Sequence, residues 1–133
     1  MPDTQNDFSE GYSMTTGEIG AWGEDRACEY LTDKGYRIIR RNFSSRTGEI
    51  DIICKKGNMT VFVEVKTRRS SVYAEPRDFV TYSKQRKLKS AAKWWLSLTK
   101  SYDFPARFDV IEVFSPDGLY GKDFSINHIE NAF

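Results

Sequence analysis

Asp51, Glu64 and Lys66 are the residues whose types and spacing could do chemistry. Glu64 and Lys66 stand inside an otherwise apolar run, Val61-Phe62-Val63-Glu64-Val65-Lys66. Side chains alternate along a strand, so these two charges share one face. Burying charge is costly unless the group is paired or has a task. In Glu49-Ile50-Asp51-Ile52, the same alternation puts Glu49 and Asp51 on one face and Ile50 and Ile52 on the other. The two runs are neighbours across a short hairpin, so Asp51 and Glu64 can meet on one side of a sheet. Glu24 joins them if its helix packs there. It lies on a stripe with Gly20, Ala27 and Leu31, small and apolar residues suited to facing a sheet.

Carboxylates gathered in this way suit hydrolysis of a phosphodiester. They bind Mg2+ (or Mn2+), a hard cation that takes oxygen ligands and keeps several waters. Bound there, the cation polarises the phosphoryl oxygen, lowers the pKa of a water and stabilises the leaving oxygen. Two close carboxylates repel each other without it, which favours its capture. A neighbouring lysine orients or helps deprotonate the attacking water and stabilises transition-state charge. The plainer alternative is a same-face ion pair between Glu64 and Lys66, with Asp51 hydrogen-bonded at a strand end. A glutamate two residues before a lysine occurs by chance in most proteins.

Positioning these groups requires rigid elements, and the periodicity supplies them. Thr15 and Glu18 have capping-box spacing, so a helix begins at 15 or 16 and runs to about Lys34, where Gly35 ends it. Residues 36–43 and 49–55 read as strands around the turn Ser44-Ser45-Arg46-Thr47-Gly48. Lys56-Gly57-Asn58 is a tight turn into a third strand, 60–67. A long polar loop, 68–82, precedes a second helix that Ser83 can cap. That helix carries Leu88, Ala91, Ala92 and Trp95 on one stripe. Residues 107–114 form a fourth strand, 115–118 a turn and 119–126 a fifth strand. The order α-β-β-β-α-β-β predicts an α/β fold, an antiparallel meander continued through a crossover into a mixed sheet flanked by helices.

The chain's 133 residues, 39% hydrophobic and 14% aromatic, fit one compact domain over 15–133 with its own core. Residues 1–14 are polar and aperiodic and read as a flexible tail. Net charge is +1, so bulk charge points to no partner. The two cysteines, Cys28 and Cys54, are too few for a disulfide scaffold and too far apart for a metal knuckle. A reducing cytoplasm is the expected compartment. No apolar run approaches a membrane span.

The local charge is less even. Residues 66–93 hold nine Lys or Arg against two Asp or Glu, an excess suited to neutralising phosphates. Lys84, Arg86 and Lys87 on the second helix, with Arg68 and Arg69 at the third strand's end, are the candidate nucleic-acid contacts. Arg40, Arg41 and Arg46 can extend the patch, and Tyr73 and Tyr82 stand in the loop. A solvated helix face is the commoner fate of such a run. Nothing resembles a base-reading element, so shape rather than sequence recognition is expected. His128 is the sole histidine, which leaves a histidine-based triad little support. Trp94 and Trp95 cannot share a helix face. Trp95 fits the core stripe, and Trp94 an edge or a dimer contact.

Gly48-Glu49-Ile50-Asp51 followed by Phe62-Val63-Glu64-Val65-Lys66-Thr67-Arg68 resembles the signature of the PD-(D/E)XK nuclease superfamily. The fuller resemblance is to the YraN-like family of uncharacterised bacterial proteins, similar to archaeal Holliday junction resolvases. It includes Gly20, Gly23, Glu24 and Ala27, then Gly35-Tyr36, Arg41-Asn42, Lys84, Arg107 to Val110 and the closing Asn131-Ala132-Phe133. The resemblance covers roughly residues 17–133 and implies a restriction-endonuclease-like αβββαβ core. It implies Glu24, Asp51, Glu64 and Lys66 as catalytic residues, with Asp51, Glu64 and the Val65 carbonyl as metal ligands. Lys84 and Gln85 match an auxiliary polar position only loosely. Ile50 stands where the superfamily's name has proline.

Three functions follow as alternatives. One is a Mg2+-dependent endonuclease acting on branched or otherwise structured DNA, for which a homodimer is one arrangement. Another is a nucleic-acid-binding module of the same fold with little catalysis. The third is a protein-interaction protein whose charges are structural.

Overall fold

Thr15 opens the first helix. Its hydroxyl accepts the N–H of Glu18 at 3.1 Å, and the Glu18 carboxylate accepts the N–H of Thr15 at 2.8 Å. This exchange satisfies two of the donors that a helix start leaves open. Helix α1 (Thr16–Asp33) closes at Lys34, and Gly35 turns the chain out at a φ of +92°, where a Cβ would be strained. The computed structural model describes residues 13–69 and 80–133.

Strands β1 (Arg37–Ser44), β2 (Glu49–Lys56) and β3 (Met59–Arg68) form the antiparallel meander, with Gly57 at a φ of +61° in the second turn. Helix α2 (Tyr82–Leu98) carries the chain across to β4 (Ala106–Phe114), parallel to β3, and β5 (Ser125–Ile129) pairs antiparallel with β4. The spatial order is β1-β2-β3-β4-β5. This α/β arrangement, a mixed sheet flanked by helices, is consistent with a restriction-endonuclease-like core.

Alternation along the central strands divides two cores. Val61 and Val63 pack with Ala27 and Leu31 of α1, whereas Phe62 packs with Leu88, Ala91 and Ala92 of α2. The helices therefore cover opposite faces of the sheet. Gly23, rather than Gly20, is the buried glycine of α1. A Cβ there would overlap the Thr67 hydroxyl, so this glycine sets how closely α1 lies on β3. Trp95 fills the α2 side, its ring 5.2 Å from that of Phe43.

Two element ends differ from expectation. Thr81, not Ser83, caps α2: its backbone is extended and its hydroxyl accepts the Lys84 N–H at 3.2 Å. Both hydroxyl residues can cap, and the earlier one does. The fifth strand begins at Ser125 rather than 119. The Ser115 hydroxyl accepts the Tyr120 N–H at 3.0 Å and Asp117 accepts that of Leu119 at 2.9 Å, so turn chemistry outlasts the Pro-Asp-Gly signal. The expected tail and most of the 68–82 loop, Tyr73 included, lie outside the described residues. No helix among the described residues is long and apolar enough to cross a membrane.

Candidate active site

The site begins with a break in alternation. Ile50 and Ile52 were expected on one face, yet Ile50 packs with the α2 core and Ile52 with the α1 core. Strand β1 makes the matching switch. Arg41, opposite Ile52, reaches the carboxylates of α1, while Phe43, opposite Ile50, packs under α2. Between them Asn42 takes a φ of +52°, a left-handed conformation that asparagine tolerates better than most residues. Both strands thus change faces at one level, with Asp51 at the turning point of β2. The pairing register runs on unshifted here, from Arg41 with Ile52 to Phe43 with Ile50, so the change is in side-chain aim rather than in pairing.

At the same level β2 and β3 part. Their pairing ends at Ile52 and Val63, and beyond it the Asp51 carboxylate accepts the N–H of Val65 at 2.8 Å. A side chain replaces the missing strand partner. Glu64 follows on β3 and hydrogen-bonds Asp51. The fork therefore holds two carboxyl groups, with the backbone of Val65 tied to one of them. Together with Gly48, Glu49, Lys84 and Lys87 they line a cleft of about 290 Å³. Gly48 keeps that wall close: a Cβ there would stand 2.8 Å from the Lys87 carbonyl oxygen.

The electrostatics match this crowding. Burial, and then the charge of Glu64, push the Asp51 carboxyl up to about 7, although the Val65 N–H pulls the other way. Glu64 is 5% exposed and faces two ammonium groups. Lys84 Nζ lies 2.6 Å from its Oε2 and Lys66 Nζ 3.6 Å. Burial alone would lower the Lys84 pKa, but the hydrogen bond to Glu64 outweighs it and the net shift is upward. Lys84 is thus paired within the cluster, and Lys66 shares the Glu64 side of β3.

Glu24 is near the pair without joining it. Its carboxyl is hydrogen-bonded to Asn42 and lies 3.6 Å from Arg41. Burial raises its pKa against those two partners, and its charge contributes to raising Asp51. Among the described residues, no three His, Cys, Asp or Glu side chains are grouped closely enough to hold a metal ion. The expected convergence of three carboxylates is therefore a pair, Asp51 and Glu64, with Glu24 beside it.

The basic residues divide by their partners. Arg68 is drawn inward to the buried Glu112 at 2.7 Å, and Arg41 is engaged by Asp25 and Glu24. Both had been expected to face phosphate. Arg46, Arg69, Arg86, Lys87 and Lys93 make no ion pair among the described residues.

Two residues escaped the sequence reasoning. Glu112 anchors Arg68 but alternates like any half-exposed strand residue. Asn42 holds Glu24 and takes a left-handed φ within β1; in the sequence it figured only in the Arg41-Asn42 pair of the resemblance and as an asparagine inside a strand, where that residue is disfavoured. The Arg107 and Asp109 pair, open between structural and substrate roles, is structural. Asp109 is fully buried, takes two bonds from Arg107 at 2.8 Å, and binds His128 at 2.7 Å. Tyr30 and Tyr36 complete that network.

The family model described as "Uncharacterised protein family UPF0102" matches residues 23–113, a span that contains every member of the fork. A UPF0102 protein of Syntrophomonas wolfei is 46% identical over 116 residues, covering 87% of this chain and 97% of its own. One from Caldicellulosiruptor saccharolyticus is 44% identical over 120 residues, covering 90% and 100%. One from Rhodococcus opacus is 44% identical over 115 residues, covering 86% and 95%.

Proposed function

The chain belongs to the uncharacterised protein family UPF0102, and within it we propose a metal-dependent endonuclease of the PD-(D/E)XK type, hydrolysing phosphodiester bonds in branched or otherwise structured DNA. The observation that carries this reading is the fork: Asp51 and Glu64 share a cleft with Lys84 at the point where β2 and β3 part, and Lys66 stands 3.6 Å from the Glu64 carboxylate. Two carboxylates and a backbone carbonyl are hard oxygen donors, and Mg2+ is commonly held by one or two carboxylates plus waters. The donor set therefore fits Mg2+ or Mn2+, with Asp51, Glu64 and Val65 as its holders. When bound, the cation would supply Lewis-acid polarisation of the phosphoryl oxygen and a more acidic water.

The remaining work falls to the chain. Lys84 places positive charge on the wall of the cleft and Lys66 places it beside Glu64, near where a phosphate's oxygens would gather, and they stabilise charge that grows during attack. Glu24, held by Asn42 and Arg41, raises the negative potential around Asp51 and so favours cation capture. Lys87 lines the cleft and offers the strand an ammonium that makes no ion pair among the described residues. A cytoplasmic setting agrees with two free cysteines, of which Cys54 is inert, its thiol pushed up to about 12 by burial. A homodimer would let two such sites cut opposing strands.

One observation favours a second reading. Glu64 is already matched by two lysines, so the cluster is satisfied as it stands. A nucleic-acid-binding module with weak catalysis would look the same. Incubation with labelled four-way junction, flap, single-stranded and duplex DNA, with Mg2+ or Mn2+, separates the two. The endonuclease cuts in a metal-dependent way, and Glu64→Ala and Lys66→Ala lose cutting while retaining binding. Binding without cutting by the wild type on every substrate would turn the conclusion to the module.

A further inference from the structure

A second cavity of about 740 Å³ lies beside the cleft, lined by Ser44, Ser45, Arg46, Thr47, Ser90, Lys93 and Trp94. The two are neighbours in the chain and in space. Thr47 precedes the Gly48 that lines the cleft, and Ser90 lies one helical turn from its Lys87. Thr47 Oγ1 donates to Ser90 Oγ at 2.9 Å, which ties the turn before Gly48 to α2 on the lining of this second cavity.

Trp94 is 54% exposed, although Trp95 beside it is packed into the core. No ring contact or cation-π partner holds the Trp94 indole among the described residues. Two cations flank it, Arg46 and Lys93, and neither has an ion-pair partner among the described residues. An open indole with unpaired cations and hydroxyls around it complements a nucleotide: a flat apolar base joined to an anion. A protein partner of ordinary surface would leave those cations desolvated without a match.

Lys87, Ser90 and Trp94 fall on one stripe of α2, at i, i+3 and i+7. At 1.5 Å per residue, the stripe carries a strand about 10 Å from the cleft to the indole. That is about three nucleotides at the duplex rise of about 3.4 Å, and fewer where the strand is extended.

We propose that this cavity binds an unpaired nucleotide of the DNA strand whose phosphate lies in the Asp51–Glu64 cleft. The Trp94 indole stacks on its base, and Arg46 and Lys93 meet its phosphate. The site deepens the nucleic-acid reading above and rests on it. A base can reach the indole only when it is outside a duplex, so the subsite selects DNA with single-stranded character.

Binding is measured by fluorescence anisotropy with a labelled single-stranded oligonucleotide and with a blunt duplex, in EDTA so that nothing is cut. Trp94→Ala should weaken single-strand binding about tenfold and leave blunt-duplex binding within twofold, while Trp94→Tyr restores most of the loss. Arg46→Ala should lower the salt dependence of single-strand binding by about one phosphate contact. Unchanged single-strand affinity in Trp94→Ala, or equal weakening on both DNAs, would overturn the subsite. So would competition by a free nucleoside monophosphate as strong as the oligonucleotide's, or a Trp94→Ala effect confined to self-association in sedimentation. Wild-type cutting that persists through those failures leaves the nuclease standing. Failure of the wild type to bind any DNA removes both readings together.

Discussion

The carboxylate of Asp51 accepts the backbone N–H of Val65 at 2.8 Å, one residue past Glu64, at the place where the strands carrying them separate. One oxygen of the acid thus does structural work and keeps the fork open at a fixed width. The side chain serves the backbone and the site together, so substitutions at Asp51 divide those roles.

Asp51→Asn keeps an oxygen for the Val65 N–H and removes the ionisable group. The folded wild type holds a proton here up to about 7, whereas the unfolded chain releases it near 3.8. The native state therefore binds more protons across that window, and stability falls as pH rises through it. Without metal, Asp51→Asn should match the wild type below about pH 4 and exceed it by roughly 1–3 kcal/mol above pH 7. Thermal melts in EDTA at pH 4 and pH 8 provide the comparison. A variant less stable than wild type at pH 8 would show that the raised pKa is not a stability cost.

Asn42 supplies a different test. Its φ of +52° suits glycine, and its side chain holds Glu24. Asn42→Ala should lose about 1–2 kcal/mol from the left-handed backbone alone. Asn42→Gly should recover most of that stability without recovering the Glu24 bond. Urea unfolding of the three proteins decides, and equal stability of the alanine and glycine variants would refute a backbone role.

Gly23→Ala should destabilise by about 1–3 kcal/mol, because the added methyl overlaps the Thr67 hydroxyl between α1 and β3. Thr67→Ala in the same chain removes the overlapping atom and should return most of the loss. A double-mutant cycle with no coupling between the positions would place the cost in helix propensity or elsewhere.

Asp109→Ala should cost about 3–5 kcal/mol, since Arg107 and His128 would be left beside an emptied buried site. Burial would raise the Asp109 pKa, but His128 and Arg107 outweigh it and the net shift is downward. A depressed carboxylate stabilises above its unfolded pKa and loses that contribution as pH falls through the folded value. The wild type's advantage over Asp109→Asn should therefore shrink below about pH 4, near the unfolded Asp value. A stability difference between the two that stays constant from pH 7 to pH 3 would contradict this.

How much of this was legible depends on which physical signal each residue carries. The helix start at Thr15 and Glu18 was readable because capping is local, and so were the strands around Gly57. The pairing of Asp51 with Glu64 followed from one hairpin and a period of two. The face switch was not, because alternation assumes ordinary strand backbone throughout and Asn42 departs from it, at a φ of +52°, without glycine or proline. Arg68 read as a surface cation because its partner, Glu112, comes from a strand distant in sequence. Lys84 read as a phosphate contact for the same reason: only packing brings the start of α2 against Glu64.

The parallel pairing of β3 and β4 has a kinetic meaning. Each rung joins residues far apart in the chain, from Thr60 with Ala106 to Arg68 with Phe114, whereas β1, β2 and β3 join near neighbours. The meander can form early, but the centre of the sheet must wait for a long loop to close. Closure entropy grows only logarithmically with loop length, so ten residues inserted between β3 and α2 should cost less than about 0.6 kcal/mol. The crossover is therefore where this fold can lengthen with little thermodynamic consequence, and it is also where its assembly is slowest.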